Sequence, residues 1–120
     1  MKTLKELQER IGLYKTYTFE KSYGFIVWQL ISGENFEILF ISGEGHGVIL
    51  MKEWVKYLKD NSILPFNSIM VVRQNANERA GRFYRKLGFD EVEIPNLYKG
   101  QVAILSTVNF DTLCRNLATL

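Results

Sequence analysis

The middle of the chain alternates twice between a strand pattern and a helix pattern, and this order restricts the possible folds more than any other feature. Residues 36–41 are almost continuously apolar, and residues 48–59 then carry apolar side chains at helical spacing. The order repeats, with an apolar run over residues 68–72 and helical spacing over residues 77–87. A strand–helix–strand connection within one sheet places its two strands parallel. We therefore expect an α/β fold with a parallel pair of strands at its centre.

Further strands and helices flank this central region. Residues 25–31 are β-branched and aromatic, and the turn signal Ser-Gly-Glu-Asn at residues 32–35 joins them to the run over residues 36–41. This pattern predicts an antiparallel hairpin whose second strand is buried on both faces. The other predicted elements are a helix over residues 3–11, a strand over 14–20, two final strands over 89–94 and 101–107 around a turn at Asn96–Leu97, and a C-terminal helix from Phe110. The length fits a single domain over residues 1–120.

Composition and charge argue against several kinds of function. The chain has 15 Lys and Arg against 13 Asp and Glu, and its net charge of +2 does not favour a nucleic-acid partner. Cys114 is the only cysteine and His46 the only histidine, so we expect no internal disulfide and no metal site, with Cys114 as a packing residue. Residues 1–12 lack the apolar core of a signal peptide, and no apolar run reaches the ~20 residues of a membrane span. We expect a cytoplasmic protein without a membrane partner.

A glycine-rich loop, Ser-Gly-Glu-Gly-His-Gly at residues 42–47, joins the strand over residues 36–41 to the helix over residues 48–59. Its glycines allow a tight turn and a close approach to an anion. The backbone N–H groups in the first turn of the helix, at the positive end of its dipole, then favour a phosphate. The loop lacks the Gly-Lys-Ser/Thr of a Walker loop and the glycine spacing of a dinucleotide-binding fingerprint. By itself it indicates either a phosphate site or a flexible turn.

A second motif lies at residues 77–89, Asn-Glu-Arg-Ala-Gly-Arg-Phe-Tyr-Arg-Lys-Leu-Gly-Phe, and it resembles the Asn-x-x-Ala-x-x-Phe-Tyr-x-Lys-x-Gly-Phe segment of GNAT acyltransferases. The glycine loop is similar to the Gln/Arg-x-x-Gly-x-Gly/Ala pyrophosphate loop of that family, with Ser42, Gly45 and Gly47 in the first, fourth and sixth places. Ser42 departs from the pattern, because the family usually has Gln or Arg there. The resemblance covers about residues 23–105. It implies a mixed sheet with antiparallel N-terminal strands, a parallel pair around the cofactor loop and helices on both faces.

The resemblance also implies a function, namely N-acetyl transfer from acetyl-CoA to an amine acceptor by direct attack. It implies that main-chain groups of residues 39–41 bind the pantetheine amides and that the glycine loop binds the pyrophosphate. Asn77 is expected to cap its helix and to reach the pantetheine arm. Arg82, Arg85 and Lys86 are expected to meet the nucleotide 3′-phosphate. The predicted cofactor-binding residues are Leu39, Phe40, Ile41, Ser42, Gly43, Glu44, Gly45, His46, Gly47, Val48, Asn77, Ala80, Arg82, Phe83, Tyr84 and Lys86.

Two residues are predicted to take part in the chemistry. By resemblance, Tyr84 is the general acid that protonates the coenzyme A thiolate. A phenol with a pKa of ~10 is protonated at neutral pH, and a thiolate with a pKa of ~8.5 can accept its proton. Glu37 lies in an otherwise apolar strand, where a buried carboxylate has a raised pKa and can act as a general base through water. If Glu37 points outward instead, it is only a solubilising charge.

Two other functions are compatible with the sequence. Ser42 and the unassigned base allow a catalytically silent domain that binds coenzyme A or a protein partner. The short region before residue 36 leaves the acceptor side open, which allows a substrate as large as a nucleic acid, although the near-neutral charge argues against it. A second subunit would also complete an open acceptor pocket, so a homodimer is compatible with the sequence.

Overall fold

The computed structural model describes residues 16–32, 35–43, 45–63, 67–74, 77–98 and 101–120. Along the chain these residues form β1 (Tyr17–Lys21), β2 (Gly24–Ser32), β3 (Asn35–Ser42), α1 (Gly47–Asp60), β4 (Ser68–Gln74), α2 (Glu78–Lys86), β5 (Asp90–Tyr98), β6 (Gln101–Asn109) and α3 (Phe110–Ala118). This order agrees with the predicted one, and the helix predicted for residues 3–11 lies outside the described residues. None of the helices in this part of the chain has the length and hydropathy that a membrane span requires.

The six strands form one mixed sheet in the order β1-β2-β3-β4-β6-β5. β3 and β4 are parallel, and the other neighbouring pairs are antiparallel. The parallel pair flanks the glycine loop, since β3 leads into the loop and β4 follows the helix α1. The mixed sheet with one central parallel pair is therefore confirmed.

One hydrophobic core lies between the sheet and the helices. Trp54 of α1, Tyr84 of α2 and Leu113 of α3 belong to this core, together with Ile26 and Ile69 of the sheet. Because the three described helices share one core, they lie on the same face of the sheet. Among the described residues, no helix covers the other face of the sheet.

The opposite face of the sheet carries a smaller apolar cluster. Its members are Phe25, Val27, Leu39 and Phe40. In β3, Phe36 and Ile38 point into the main core and are buried, whereas Glu37 on the opposite face is only half-buried. The prediction that this strand is buried on both faces is therefore wrong, because only its core-facing side chains are sealed from water.

β5 continues past the turn that the sequence predicted. Asn96–Leu97 lie within β5, which runs to Tyr98, so the predicted turn is wrong. Pairing between β5 and β6 is irregular between Ile94 and Tyr98. β5 is an edge strand, where Pro95, which lacks an N–H, is tolerated because one side of the strand needs no sheet hydrogen bonds. The segment predicted as a turn is therefore a strand irregularity rather than a reversal of the chain.

Helix α2 ends at a glycine, as the sequence predicted. Gly88 has a φ of +91°, which residues with a side chain rarely adopt. The Gly88 N–H donates to the Arg85 C=O at 3.0 Å, and the Phe89 N–H donates to the Tyr84 C=O at 3.0 Å. These two hydrogen bonds define a Schellman motif. The motif fixes the last turn of α2, which carries Tyr84, and directs the chain into β5.

Candidate active site

β3 and β4 separate towards their carboxyl ends. Their parallel pairing stops at Ile38 and Val71, whereas the strands continue to Ser42 and Gln74. Residues 39–41 are therefore paired with no residue of β4, and the strand edge that they form towards β4 is open. An extended ligand that carries amides can pair with such a strand edge.

β3 also contains a β-bulge where the strands separate. Val27 of β2 pairs with Phe40, and the adjacent Trp28 pairs with Ile38, so Leu39 is an extra residue without a partner in β2. A bulge bends its strand and redirects the local backbone groups. Leu39 also lies beyond the last residue pair with β4, so it is paired with no residue of either neighbouring strand.

The glycine loop makes a tight turn between β3 and α1. The His46 N–H donates to the Gly43 C=O at 2.5 Å. Gly45 has a φ of +75°, in the left-handed region that favours glycine. The turn between β1 and β2 packs directly against the loop, because a Cβ on Gly24 would lie 2.2 Å from the Ser42 carbonyl oxygen. The described residues of the loop are therefore held both by this hydrogen bond and by the neighbouring turn.

Tyr23 links the same turn to the loop and to α1. Its ring centroid lies 5.3 Å from that of His46. Its hydroxyl donates a hydrogen bond to the Glu53 carboxylate of α1. This hydrogen bond raises the pKa of Tyr23 to about 12, so the phenol stays protonated and the link persists at neutral pH.

The first turn of α1 provides backbone donors beside the loop. N–H groups in the first turn of a helix have no acceptor within the helix. The Leu50 N–H is the first to find one, at 2.9 Å from the His46 C=O. The His46 side chain does not cap the helix, and the first turn contains no acidic residue. The start of α1 therefore suits a bound anion, which would meet both N–H groups and the positive end of the helix dipole.

Helix α2 forms the opposite wall of the site. Asn77 caps this helix as predicted, since its side-chain oxygen accepts a hydrogen bond from the Ala80 N–H at 3.2 Å. α2 approaches the start of α1 closely, because a Cβ on Gly47 would lie 2.7 Å from the Phe83 ring. Glycine at this position makes room for the ring, so both helices border the same space.

The loop and the two helices enclose a cavity of about 640 Å³. The cavity is lined by Ile41, Ser42, Gly43, Gly45, His46, Gly47, Val48, Ile49, Asn77, Arg79, Ala80, Phe83 and Tyr84. The glycine loop and the motif at residues 77–89 thus meet at one site. Of the predicted residues, Leu39, Phe40, Arg82 and Lys86 do not line the cavity, and Glu44 lies outside the described residues.

Ile49 and Arg79 line the cavity, although the sequence did not identify them. Helical spacing contains the signal for Arg79, because it precedes Phe83 by one turn and therefore shares its face of α2. At about 100° per residue, Arg82 and Lys86 lie beside this face, on the flank next to Arg79.

Arg85 lies on the other side of α2, where it is held by two carboxylates. It lies 2.7 Å from Glu91 and 3.2 Å from Glu78. These acidic residues hold Arg85 on the side of the helix away from the cavity, and its expected contact with a cofactor phosphate stays a prediction.

Tyr84 presents a protonated phenol to the cavity. The residue is only 4% exposed, and its ring packs against Phe83 and Phe89 at centroid distances of 5.4 and 5.3 Å. Burial raises the pKa of Tyr84 to about 12, although the nearby Arg73 charge acts in the opposite direction. No described residue forms a hydrogen bond with the hydroxyl, so its proton is available to a ligand in the cavity.

Glu37 lies apart from this cavity. It is half-buried on the face of β3 opposite the main core, and the Gln29 Nε2 donates to its carboxylate at 2.6 Å. The carboxylate therefore has a polar cross-strand partner, in contrast to the apolar surroundings expected from the sequence. The structure does not bring Glu37 and Tyr84 together on one cavity wall.

The described residues provide neither a reactive cysteine nor a metal site. Cys114 is half-buried in a groove between α1 and α3, and burial raises the pKa of its thiol, which makes it a poor nucleophile. Among the described residues, no three His, Cys, Asp or Glu side chains cluster as metal ligands.

No protein-family model matches the chain, and no curated protein is similar to it. Several solved structures do match. Ard1 from Thermoplasma volcanium is 25% identical with a TM-score of 0.60, and the match covers 72% of this chain and 62% of that one. The ribosomal-protein-S18-alanine N-acetyltransferase from Escherichia coli is 17% identical with a TM-score of 0.62, covering 88% and 76%. A GNAT family acetyltransferase from Elizabethkingia anophelis with acetyl-CoA bound is 17% identical with a TM-score of 0.66, covering 89% and 83%.

These structures match the sheet and helices of this chain over most of its length. The chain nevertheless spans less than two thirds of Ard1, because it covers 62% of that protein. The sequence resemblance is confirmed at the level of the fold: the chain has the fold of the GNAT acetyltransferase superfamily.

Proposed function

We propose that the protein binds an acyl-coenzyme A, acetyl-CoA in the simplest case, and transfers the acyl group to an amine. One observation carries this proposal. The cavity has anion-binding backbone groups at the start of α1 and a protonated phenol, Tyr84, on its wall. A thioester joined to a pyrophosphate by a flexible arm needs both features, one for binding and the other for the leaving group.

The pyrophosphate is proposed to bind to the N–H groups of the glycine loop and of residues 47–49 at the start of α1. Ser42 has no long side chain to add, but Arg79 lines the cavity and supplies a positive charge. Arg82 and Lys86 lie on the adjoining flank of α2, outside the cavity, where the 3′-phosphate of the nucleotide would be exposed to solvent.

The pantetheine arm is proposed to lie between the separated ends of β3 and β4. Its amides would pair with the backbone of residues 39–41, which have no partner in β4. Leu39 and Phe40 therefore contribute main-chain groups and need not present side chains to the cavity, whereas Ile41 lines it. In this placement the arm runs from the glycine loop towards Leu39, so the thioester lies near the β-bulge of β3.

In the proposed reaction, the neutral amine nitrogen attacks the thioester carbonyl carbon and forms a tetrahedral intermediate. The C–S bond then breaks, the amide is formed, and the electron pair leaves on sulfur. Tyr84 donates its proton towards this sulfur, while a base or water takes the proton from the attacking nitrogen.

The environment of Tyr84 determines how far its proton moves. Its pKa of about 12 exceeds the ~8.5 of a thiol, so full transfer would be uphill by roughly 5 kcal/mol. Tyr84 therefore acts mainly as a hydrogen-bond donor that stabilises the departing thiolate. The nearby Arg73 charge lowers the energy of any phenolate that forms.

Glu37 is proposed as the base only if the amine approaches from the sheet face opposite the helices. On that face the Gln29 Nε2 holds one carboxylate oxygen at 2.6 Å and leaves the other for a water or an ammonium group. A second copy of the chain could complete this acceptor side, and sedimentation analysis of the purified protein would test for such a homodimer.

A domain that binds coenzyme A without turnover is the alternative, and the position of Glu37 outside the cavity favours it.

Calorimetry with acetyl-CoA measures binding, and release of free thiol in the presence of amines measures transfer. The amine panel should include a polyamine, a lysine-containing peptide and a peptide with a free N-terminal alanine. We expect binding, and thiol release that depends on one of these acceptors. Binding without release would support the silent domain, and absence of binding at millimolar ligand would contradict both.

A further inference from the structure

A buried arginine lies beneath helix α2. Ile69, Val71 and Arg73 alternate along the core-facing side of β4, and all three are buried. Arg73 is only 7% exposed, although its guanidinium is always charged. A buried charge is costly unless it is paired, so its partners indicate what it does.

The partners of Arg73 form a closed ring of four charges. Arg73 contacts the Glu91 carboxylate of β5, and Glu91 also accepts a hydrogen bond from Arg85 at 2.7 Å. Arg85 contacts Glu78 at 3.2 Å, and Glu78 lies 3.9 Å from Arg73. The ring has two positive and two negative members, so it carries no net charge, and the two guanidinium groups lower the pKa of Glu91. Arg85 and Glu78 belong to α2, so the ring joins this helix to two strands of the sheet.

Arg73 also contacts the helix backbone at two places. Its Nη1 donates to the C=O of the capping residue Asn77 at 3.1 Å. The helix lies directly on the guanidinium at Gly81, where a Cβ would come within 2.6 Å of Nη2. Glycine at this position therefore permits the close contact, and Arg73 fixes both the start and the height of α2 above the sheet.

Helix α2 has few fully buried residues to hold it in place. Of its nine residues only Gly81 and Tyr84 are buried, and Ala80 and Phe83 are partly buried against the core, whereas α1 buries five residues of its fourteen. A helix with so small a buried face needs another constraint on its position. The ring of charges and the contact with Asn77 provide that constraint.

We infer that Arg73 is a positioning residue that holds helix α2 against the sheet so that Asn77, Ala80 and Tyr84 form the wall of the cofactor cavity. This inference rests on the proposed function for its effect on acetyl-CoA, but its structural part does not. Replacing a whole buried ion pair by apolar residues is often neutral, whereas removing one partner costs stability if the other charge is left unpaired. In Arg73→Met, Glu91 keeps Arg85 as a partner. The ring is therefore expected to determine where α2 lies more than whether the chain folds.

The test compares Arg73→Met with Leu117→Ala, a control that removes a buried side chain of α3 remote from the cavity. Calorimetry gives the acetyl-CoA affinity, and amide hydrogen exchange over residues 78–86 reports how firmly α2 is held. We expect Arg73→Met to weaken acetyl-CoA binding by about tenfold and to accelerate exchange in α2. The control should lower the melting temperature but leave both quantities unchanged.

A folded Arg73→Met variant with wild-type affinity and wild-type exchange would overturn the inference. If this variant does not fold, Glu91→Gln removes the charge of the strand partner instead, and the same two results are expected of it. Arg73→Lys retains the charge but not the forked geometry, and it should lie between the wild type and Arg73→Met. If the wild type itself fails to bind acetyl-CoA, the proposed function is wrong, while faster exchange in Arg73→Met would still support the positioning role.

Discussion

Removing the Tyr84 hydroxyl should separate catalysis from stability and from binding. The side chain is 4% exposed, and its hydroxyl has no hydrogen-bond partner among the described residues. Its pKa is raised from 10.0 to about 12, which favours the neutral phenol by roughly 3 kcal/mol. Tyr84→Phe therefore removes neither a charge nor an intramolecular hydrogen bond. The free energy of unfolding should change by less than about 1 kcal/mol.

The same substitution should have a large effect on turnover. A positioned hydrogen-bond donor to the charge that develops in the transition state typically contributes about 100- to 1,000-fold, which corresponds to roughly 3–4 kcal/mol of the activation barrier. We expect kcat to fall by this amount and the calorimetric Kd for acetyl-CoA to stay within about twofold, since each tenfold change in Kd needs ~1.4 kcal/mol. Urea denaturation, calorimetry and thiol release measure the three quantities on one preparation.

Tyr57→Phe is the matched control. Tyr57 packs on Phe19 at a centroid distance of 5.1 Å and does not line the cavity, so loss of its hydroxyl should leave kcat unchanged. The reasoning would be refuted if Tyr84→Phe retained full turnover. It would also fail if Tyr84→Phe lost more than about 2 kcal/mol of stability, because the hydroxyl would then have a structural partner.

Three further results are expected. The wild-type rate that depends on the Tyr84 proton should persist through pH 10, because the raised pKa of about 12 keeps the phenol protonated there. This expectation would be contradicted if the wild-type rate fell by half near pH 10 while the rate of Tyr84→Phe did not. Gly45→Ala should destabilise the fold by about 1–2 kcal/mol in thermal denaturation because φ is +75°, while Gly45→Asn should cost less; equal losses would argue against backbone strain. The lowered pKa of Glu91 adds to the free energy of unfolding above the usual carboxyl pKa, and this contribution is lost as the pH falls through the lowered value. In Glu91→Gln the free energy of unfolding should therefore decrease less steeply at acidic pH.

Local signals in the sequence predicted most of the fold. The helical spacing before Gly88 and the glycine itself predicted where α2 ends, because both act through neighbouring residues. The turn predicted at Asn96–Leu97 was wrong, since an edge strand tolerates proline and the chain does not reverse there. Turn propensity describes local preference and carries no information on whether a strand has a neighbour on both sides.

The site was predicted where it depends on contiguous motifs and was missed where it depends on register. The glycine loop and Asn77 were identified from their motifs. Arg73 was not identified, because its role depends on the ion pair with Glu91. Glu91 is distant in sequence and belongs to β5, which pairs with β6 and not with β4. The partner of Glu37 was missed for the same reason, since Gln29 lies opposite it only in the observed pairing of β2 and β3.

The central claim is that an acyl-coenzyme A binds in the cavity between the glycine loop, α1 and α2. Backbone amide chemical shifts of isotopically labelled protein, followed during titration with acetyl-CoA, test both the binding and its location. The account predicts saturable shifts confined to residues 39–49 and 77–86, with the amides of Lys52, Lys59 and Cys114 in the groove between α1 and α3 unaffected. Absence of shifts at millimolar acetyl-CoA, or shifts centred on that groove instead, would contradict it.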